Sequence, residues 1–315
     1  MSSEILGPNS HVFVYAESAW GTKPGTPVYV YLPVDSFGLK TQGQTRYNDP
    51  YTGGRFQKHA QAYNMAPSGQ MGGKFHGYED AGISESIAQM ITDLAYGALA
   101  DNESASIGVE WAQGPDTANK QFNGMRMDQL TIQGSAQSGV VEWNASFVGK
   151  NEVTLATAQT VPNDLEKLVD FQFCDMTLSI DSSAIKIASF QLQRSLNQKP
   201  KWLNSRTPNC IKVGKIVDTI TFQFLKNANT YDTIQRAMAS AGTMSEKDLD
   251  VVLLGNHNGT GTNTNTRLTI DIPRACITDI DDKLSADDVF EQGLTFAILK
   301  PDSSTSAVTL SYDTN

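Results

Sequence analysis

Three cysteines and four histidines in 315 residues leave little material for disulfide or metal chemistry. Cys174, Cys210 and Cys276 lie far apart, show no CxxC spacing and form no ligand cluster with His11, His59, His76 and His257. They are expected to be reduced, buried thiols that serve as small apolar side chains. Long apolar runs are missing as well, since none approaches the roughly 18 residues of a membrane-spanning helix. Met1 to Asn9 has neither the basic nor the apolar region of a secretory signal, so folding in a cytoplasm is expected. Positive charge is scarce. With 24 Lys and Arg against 34 Asp and Glu, the net charge is −10, and a face that grips nucleic acid by its phosphates is not expected. The excess suits either a surface that repels nucleic acid or a merely soluble acidic protein.

Catalytic signatures are equally sparse. The chain has no GxSxG, HExxH or Walker pattern. His76 has no Asp or Cys close by in sequence, which suggests a surface or structural histidine. Asp279, Asp281 and Asp282 lack the glycine and terminal glutamate of a helix-loop-helix calcium site, and a solvated turn is expected there. Gly255 to Thr262 is glycine-rich, but no Lys-Ser/Thr follows it and the next element is extended. It therefore reads as a hairpin loop. No residue is nominated for catalysis, and no cofactor or metal is implied.

What is present is extended structure. Hydrophobic residues make up 39% of a chain long enough for two modest cores, and a length prior favours about two domains. His11–Ala16 and Val28–Pro33 have the β-branched and aromatic content of strands, separated by a loop with Gly21, Pro24, Gly25 and Pro27. Phe37 and Leu39 share one face of the next strand. Val141, Trp143, Ala145 and Phe147 alternate with Glu142, Asn144 and Ser146, the pattern of a sheet buried on one side. Further strands are predicted near 107–111, 125–132, 171–180, 187–196, 211–225, 249–254, 267–277, 289–299 and 307–311. Ile83, Ile87, Met90, Ile91 and Leu94 form a single helical stripe against a core, and a second helix is expected over Tyr231–Ala239. A polar loop is predicted from Thr41 to Ala66. It is long for a compact domain, and its Tyr and Arg content suits an interface.

Four landmarks recur in the same order: Phe37 with Phe190, Met71 with Ile216, Ile87 with Ile234, and Val140 with Val289, each about 150 residues apart. Val140-Val141-Glu142 with Ser146-Phe147 lies over Val289-Phe290-Glu291 with Thr295-Phe296. The expected fold is mainly β with short helices, built from a duplicated β-sandwich or barrel domain of about seven strands. The first copy would span residues 1–155, including the long loop 41–66, and the second 156–315, with a Thr/Ala/Asn/Asp-rich linker near 151–167.

Ala16-Glu17-Ser18-Ala19-Trp20-Gly21-Thr22-Lys23-Pro24-Gly25-Thr26-Pro27 resembles the start of major tail tube proteins of tailed bacteriophages. Leu196-Asn197-Gln198-Lys199-Pro200 with Ser205-Arg206-Thr207-Pro208, and Leu268-Thr269-Ile270-Asp271-Ile272-Pro273-Arg274 with Val308-Thr309-Leu310-Ser311-Tyr312, are similar to that family too. The resemblance covers nearly the whole chain and implies a structural virion protein, not an enzyme, that is made in the host cytoplasm. Such subunits form stacked rings whose inner sheets join into a barrel, a conduit for DNA ejection. The implied partners are other copies of the chain, the tail tip or baseplate, the tail terminator and a tape measure protein in the lumen. DNA passes without specific binding, and no membrane is involved. By position, Arg46, Tyr47, Asp49, Tyr51, Arg55 and Phe56 are expected to stack one ring on the next. Glu142 and Glu291 are candidates for acids lining the lumen, although an outer solvated face would explain them as well. A duplicated domain predicts rings of three chains with pseudo-six-fold symmetry; six chains with the second domain on the outside is the alternative. Two other readings stay open: a carbohydrate-binding or adhesin-like β protein using Trp20, Trp111, Trp143 or Trp202, and a hydrolase with a dispersed site.

Overall fold

The computed structural model describes residues 11–27, 29–48, 59–78, 91, 94–96, 104–110, 119–155, 168–225, 246–255, 266–283, 291–300 and 307–314. Side chains that alternate between apolar and polar favour extended chain, and strands dominate. The first half contributes β1 (His11–Ala16), β2 (Val30–Leu32), β3 (Ser36–Phe37), β4 (Lys40–Asn48), β5 (His59–Lys74), β6 (His76–Tyr78), β7 (Ala105–Glu110), β8 (Lys120–Ser135), β9 (Val141–Val148) and β10 (Asn151–Thr154). The second half contributes β11 (Leu168–Asp170), β12 (Thr177–Ile180), β13 (Ser183–Ile185), β14 (Ser189–Ser195), β15 (Lys199–Lys201), β16 (Cys210–Lys212), β17 (Val217–Leu225), β18 (Glu246–Leu254), β19 (Thr266–Lys283), β20 (Glu291–Ile298) and β21 (Thr309–Thr314). Seventeen of these strands belong to one hydrogen-bonded network, while β6–β11 and β15–β16 form separate two-stranded ribbons. The mainly β fold expected from the alternation is the fold observed.

The same pairing scheme occurs twice. In the first half β1 pairs with β2 and β7, β7 with β8, β8 with β9 and β10, β9 with β5, and β5 with β3 and β4. In the second, β12 pairs with β13 and β18, β18 with β19, β19 with β20 and β21, β20 with β17, and β17 with β14. Two irregularities coincide as well, while the shift between Gln42 and Gln44 on β4 has no counterpart among the described residues of the second half. One register shift falls between Ala105 and Ile107 on β7 and between Lys247 and Leu249 on β18. The other falls between Met127 and Gln129 on β8 and between Ile277 and Asp279 on β19. In this scheme Phe37 and Phe190 hold the same place, as do Phe147 and Phe296. Met71 shares its place with Phe222 rather than with Ile216, which precedes β17 and is exposed.

Burial follows the alternation. On β9, Val141, Trp143, Ala145 and Phe147 are buried while Glu142 and Asn144 face solvent. Phe75, Phe122, Phe147, Phe171, Phe190, Phe222 and Phe296 are all but fully enclosed. Each such ring contributes about 1.5–3 kcal/mol by leaving water. Buried residues from both halves belong to a single apolar cluster rather than to two cores.

Several local expectations are corrected. The polar stretch from Thr41 to Ala66 is not a loop at both ends. Lys40–Asn48 and His59–Ser68 pair as a long antiparallel hairpin, because backbone pairing does not require apolar side chains. Residues 49–58 lie outside the described residues. The stretch Ser68–Tyr78 breaks at Phe75, where the chain leaves β5 for β6. Thr278–Lys283 is the end of strand β19, paired with β20, and not a turn. Cys276 is buried, but Cys174 sits exposed on a 3-10 turn, Phe173–Asp175, so it does not act as a core side chain. Of the first predicted helix, Ile91 and residues 94–96 are described and helical, with Ile91, Ala95 and Tyr96 buried. The helix expected at Tyr231–Ala239 and the glycine-rich residues 256–262 lie outside the described residues, although the strands flanking the latter, β18 and β19, do pair as a hairpin.

Candidate functional site

The site that the fold offers is a set of sheet edges and one polar face, not a cleft. β14, from the second half, lies antiparallel on β8, from the first, over seven residues from Ser189 opposite Ser135 to Ser195 opposite Gln129. Because β8 also pairs with β9, and β14 with β17, this joint fuses the halves into one continuous sheet in the order β3/β4–β5–β9–β8–β14–β17–β20–β19. Leu130, Ile132, Phe190 and Leu192 make the buried side of the joint, and Phe173 stacks on Phe190 at 6.4 Å between ring centroids.

A charged lock lies beside it. Arg194 bonds Asp218 at 3.0 Å, with the two side chains only 11% and 4% exposed, and the guanidinium sits 4.3 Å from the centre of the Tyr96 ring. Tyr96 comes from the helical segment of the first half and Arg194 and Asp218 from the second, so the trio clamps the joint from behind. Burial pushes the Asp218 carboxyl above its usual range and Arg194 pulls it back; burial likewise raises the Tyr96 phenol. Removing one partner of so enclosed a pair would strand the other charge.

The opposite face of the joined sheet is a neutral polar carpet. Gln129, Thr131 and Gln133 on β8, Ser189, Gln191 and Gln193 on β14, and Thr219, Thr221 and Gln223 on β17 alternate with core residues. Thr221 and Thr295 hydroxyls meet at 3.1 Å across β17 and β20. Glu142 stands exposed on this face, between Lys74 and Gln133 in strand register. Glu291 occupies the corresponding place on β20, between Leu225 and Lys283. A shallow polar hollow of about 290 Å³ straddles the joint, lined by Gln133, Ser135, Glu142, Gln191 and Thr221 among others.

Of the residues expected to stack rings, Arg46 and Tyr47 lie on β4 opposite Gln61 and Ala60 of β5. Asp49, Tyr51, Arg55 and Phe56 lie outside the described residues. The equivalent connection in the second half, between β14 and β17, is built differently, with β15 and β16 forming a small separate ribbon. Its base is tied down where Gln198 N–H donates to Asp128 at 2.6 Å and Asn197 to the Lys215 carbonyl at 2.7 Å. The two connections touch: the Met65 N–H donates to the Arg206 carbonyl at 2.7 Å.

The motif Ala16–Pro27 forms a clasp that sequence reasoning did not anticipate. Glu17 accepts from Gly21 N–H at 2.6 Å, Gly124 N–H at 2.8 Å and the Ser106 hydroxyl at 2.6 Å, and also from Ser104. The Trp20 indole donates to the Gly124 carbonyl at 3.0 Å while Lys150 covers its ring at 4.7 Å. Gly21 (φ 71) and Gly124 (φ 66) take left-handed backbone, and a Cβ on Gly124 would strike Trp20. Trp20 is thus held in place, and Trp143 is buried at 2% exposure, so neither is free to stack on a sugar.

Two titratable groupings complete the picture. His76 meets Asp170 at 2.7 Å across β6 and β11, burial lowering its pKa while Asp170 raises it; this is a structural pair. Asp248, Asp250 and Asp271 bring three carboxylates within 4.8 Å, near enough for a shared cation. Burial first and mutual repulsion second raise Asp248 and Asp271 above the usual carboxylate range. The cluster was invisible in the sequence because its members come from facing strands.

The joined halves and their polar face make a mainly β protein, and no helix among the described residues is long and apolar enough to cross a membrane. A family model described as phage tail tube protein matches residues 7–215, two thirds of the chain, and the chain belongs to that family. It is a structural component of the bacteriophage tail tube and so of the virion tail. No curated protein matches the chain significantly.

Proposed function

We propose that three copies of the chain close into a ring with pseudo-six-fold symmetry, and that such rings stack into the tube that conducts DNA at ejection. The observation that carries this reading is the β8–β14 joint. Seven residues of strand pairing weld two halves with the same pairing scheme, and repeating that weld around an axis builds a closed barrel from two units per chain. The reading treats the halves as copies of one ancestral domain, which the shared register shifts and the Phe37/Phe190 places support.

In this assembly the face whose Gln, Thr and Ser surround the joint lines the lumen, with Glu142 and Glu291 among its acids and Lys74 across from Glu142. Uncharged hydroxyls and amides offer DNA no cationic hold, and the net charge of −10 keeps the wall from binding phosphates. The β4–β5 hairpin, with Arg46 and Tyr47 on β4 and with Asp49, Tyr51, Arg55 and Phe56 in the sequence between its two strands, reaches the adjacent ring. The tail tip, the terminator and a tape measure protein in the lumen are the further partners.

Electron microscopy with light scattering on the purified protein tests this. Rings or tubes whose repeat holds three chains, about 103 kDa from chains of 34.2 kDa, are the expected result. Rings of six chains would retain the tube and retire the pseudo-six-fold arrangement. Failure to form tubes even with an initiating tail-tip complex would retire the assembly reading itself.

A further inference from the structure

The acidic chain carries one basic surface. From residue 195 to 217, the connection that holds the β15–β16 ribbon, there is no Asp or Glu, and Lys199, Lys201, Arg206, Lys212 and Lys215 are all exposed. Taking these five charges from the net −10 leaves −15 for the rest of the chain. Lys199 lies directly opposite Lys212 in the ribbon, and Lys201 shares their face two residues on. Like charges opposed across a strand pair destabilise it, and none of the five cations meets an acid among the described residues. Apolar side chains gather at the same place. Leu203 is 69% exposed, Ile216 and Val217 follow the ribbon, and Tyr63 comes alongside where the Met65 N–H meets the Arg206 carbonyl. A positive face with apolar neighbours fits an acidic protein surface better than bare phosphates, which would leave the apolar groups uncovered.

The far ends of the strands carry the complement. Val148 of β9 pairs with Arg126, whose guanidinium donates to the Ile211 carbonyl of the ribbon, so Glu142 lies six residues, roughly 20 Å, away from the ribbon along β9. Asp35 precedes β3 at the same remote end, and Asp175 is exposed on the turn whose Phe173 N–H donates to the Gly139 carbonyl. Two adjoining shallow hollows of about 290 and 220 Å³ share Gln133 and Glu142, and the second adds Asp35. Of the cations near them, Lys74 is engaged by Asp170 at 3.8 Å and Lys186 lines a separate hollow.

We propose that the basic face of the ribbon docks on this acidic end of a second copy of the chain. The proposal rests on the ring reading above and adds to it the chemistry that gives a stack its direction. Lying beyond opposite ends of one sheet, the two surfaces do not meet within a chain. A translation along the strands brings them together, and such a heterologous contact does not close on itself but repeats as a filament. Two ribbons, or two acidic ends, repel each other, so head-to-head stacking is disfavoured.

Charge reversal during tube growth tests the contact. A ribbon variant, Lys199→Glu with Lys201→Glu and Lys212→Glu, and an end variant, Asp35→Lys with Glu142→Lys, should each lengthen tubes about tenfold more slowly than the unmodified chain at low salt. Mixed one to one they should recover most of the rate, because the negative ribbon of one variant meets the positive end of the other. Should a reversal prevent folding, judged by its melting temperature, Lys199→Gln with Lys201→Gln and Lys212→Gln takes its place. That variant should grow slowly in about 0.05 M salt and match the unmodified chain in about 0.5 M. A folded ribbon variant that grows at the unmodified rate, or a mixture no faster than its parts, would overturn the contact and leave the tube reading standing. A Gln variant that grows normally but no longer binds a short DNA duplex or anionic lipid vesicles would also overturn it and assign the face to that ligand. No tubes from the unmodified chain, even with an initiating tail-tip complex, would overturn the tube reading and this contact together.

Discussion

The two halves of the chain share a strand scheme and part company in their connections. Between β1 and β2 the first half inserts residues 17–29, pinned by Glu17 and Trp20, whereas between β12 and β13 the second half uses only Asp181 and Ser182, at φ 49 and 63. A two-residue reversal with positive φ suits the twist of a hairpin, and here Asp181 also accepts from the Lys247 ammonium at 2.5 Å and the Asp248 N–H at 3.2 Å. The longer insertion needs a buried anchor, and the clasp supplies one. The same contrast holds further along. The first half extends β4 and β5 into one long hairpin, while the second folds a separate ribbon, β15–β16. With the same sheet scheme and different connections, the strand register is kept while each half has its own contacts.

Equivalent positions turn this comparison into experiments. Phe190 and Phe37 hold the same place, but only Phe190 is sealed by a neighbouring half. Phe190→Ala should cost about 4 kcal/mol in urea unfolding and Phe37→Ala clearly less; equal costs would mean that the internal joint adds no burial. Arg194 corresponds to Thr41. Arg194→Ala strands the buried Asp218 and should cost about 3 kcal/mol, whereas Thr41→Ala loses a 2.5 Å hydrogen bond to Glu152 and should cost about 1 kcal/mol. Glu17→Ala should cost about 2 kcal/mol by leaving Gly21 N–H, Gly124 N–H and Ser106 without their acceptor, with Glu17→Gln intermediate. A Glu17→Ala protein as stable as the parent would show the clasp to be ornamental.

The smallest effect is electrostatic. Asp248, Asp250 and Asp271 stand where the first half has Ser106, Gly108 and Gln121. The raised pKa values of Asp248 and Asp271 mean that the folded chain holds the protons of these two groups more tightly than the unfolded chain does. Their contribution to stability is greatest at low pH and is lost as pH rises through the folded-state pKa. Asp250→Asn should therefore raise the melting temperature by a degree or two at neutral pH, and the gain should shrink as pH falls towards about 4. A gain that grows on acidification would show that the three acids do not repel one another.

Much of the fold was legible locally. The period-2 alternation on β9 marked Val141, Trp143, Ala145 and Phe147 as the buried side, and the charge excess argued against a phosphate-gripping surface. The polar hairpin was missed because Gln, Gly and Tyr carry no alternation to betray strands that are polar on both sides. The end of β19 was missed because three aspartates looked like a turn, whereas Ile277 and Ile280, spaced across a bulge, hold it to β20.

What the sequence determined by itself was which stretches are extended and which of their faces turn inward, since both follow from near neighbours along the chain. The tertiary structure alone decided that β14 lies on β8, that Glu17 gathers donors from Gly21, Ser106 and Gly124, and that three aspartates converge. Hydrogen-bond partners across a sheet are chosen by register between segments far apart in the chain, and a backbone amide carries no mark of the strand it will meet.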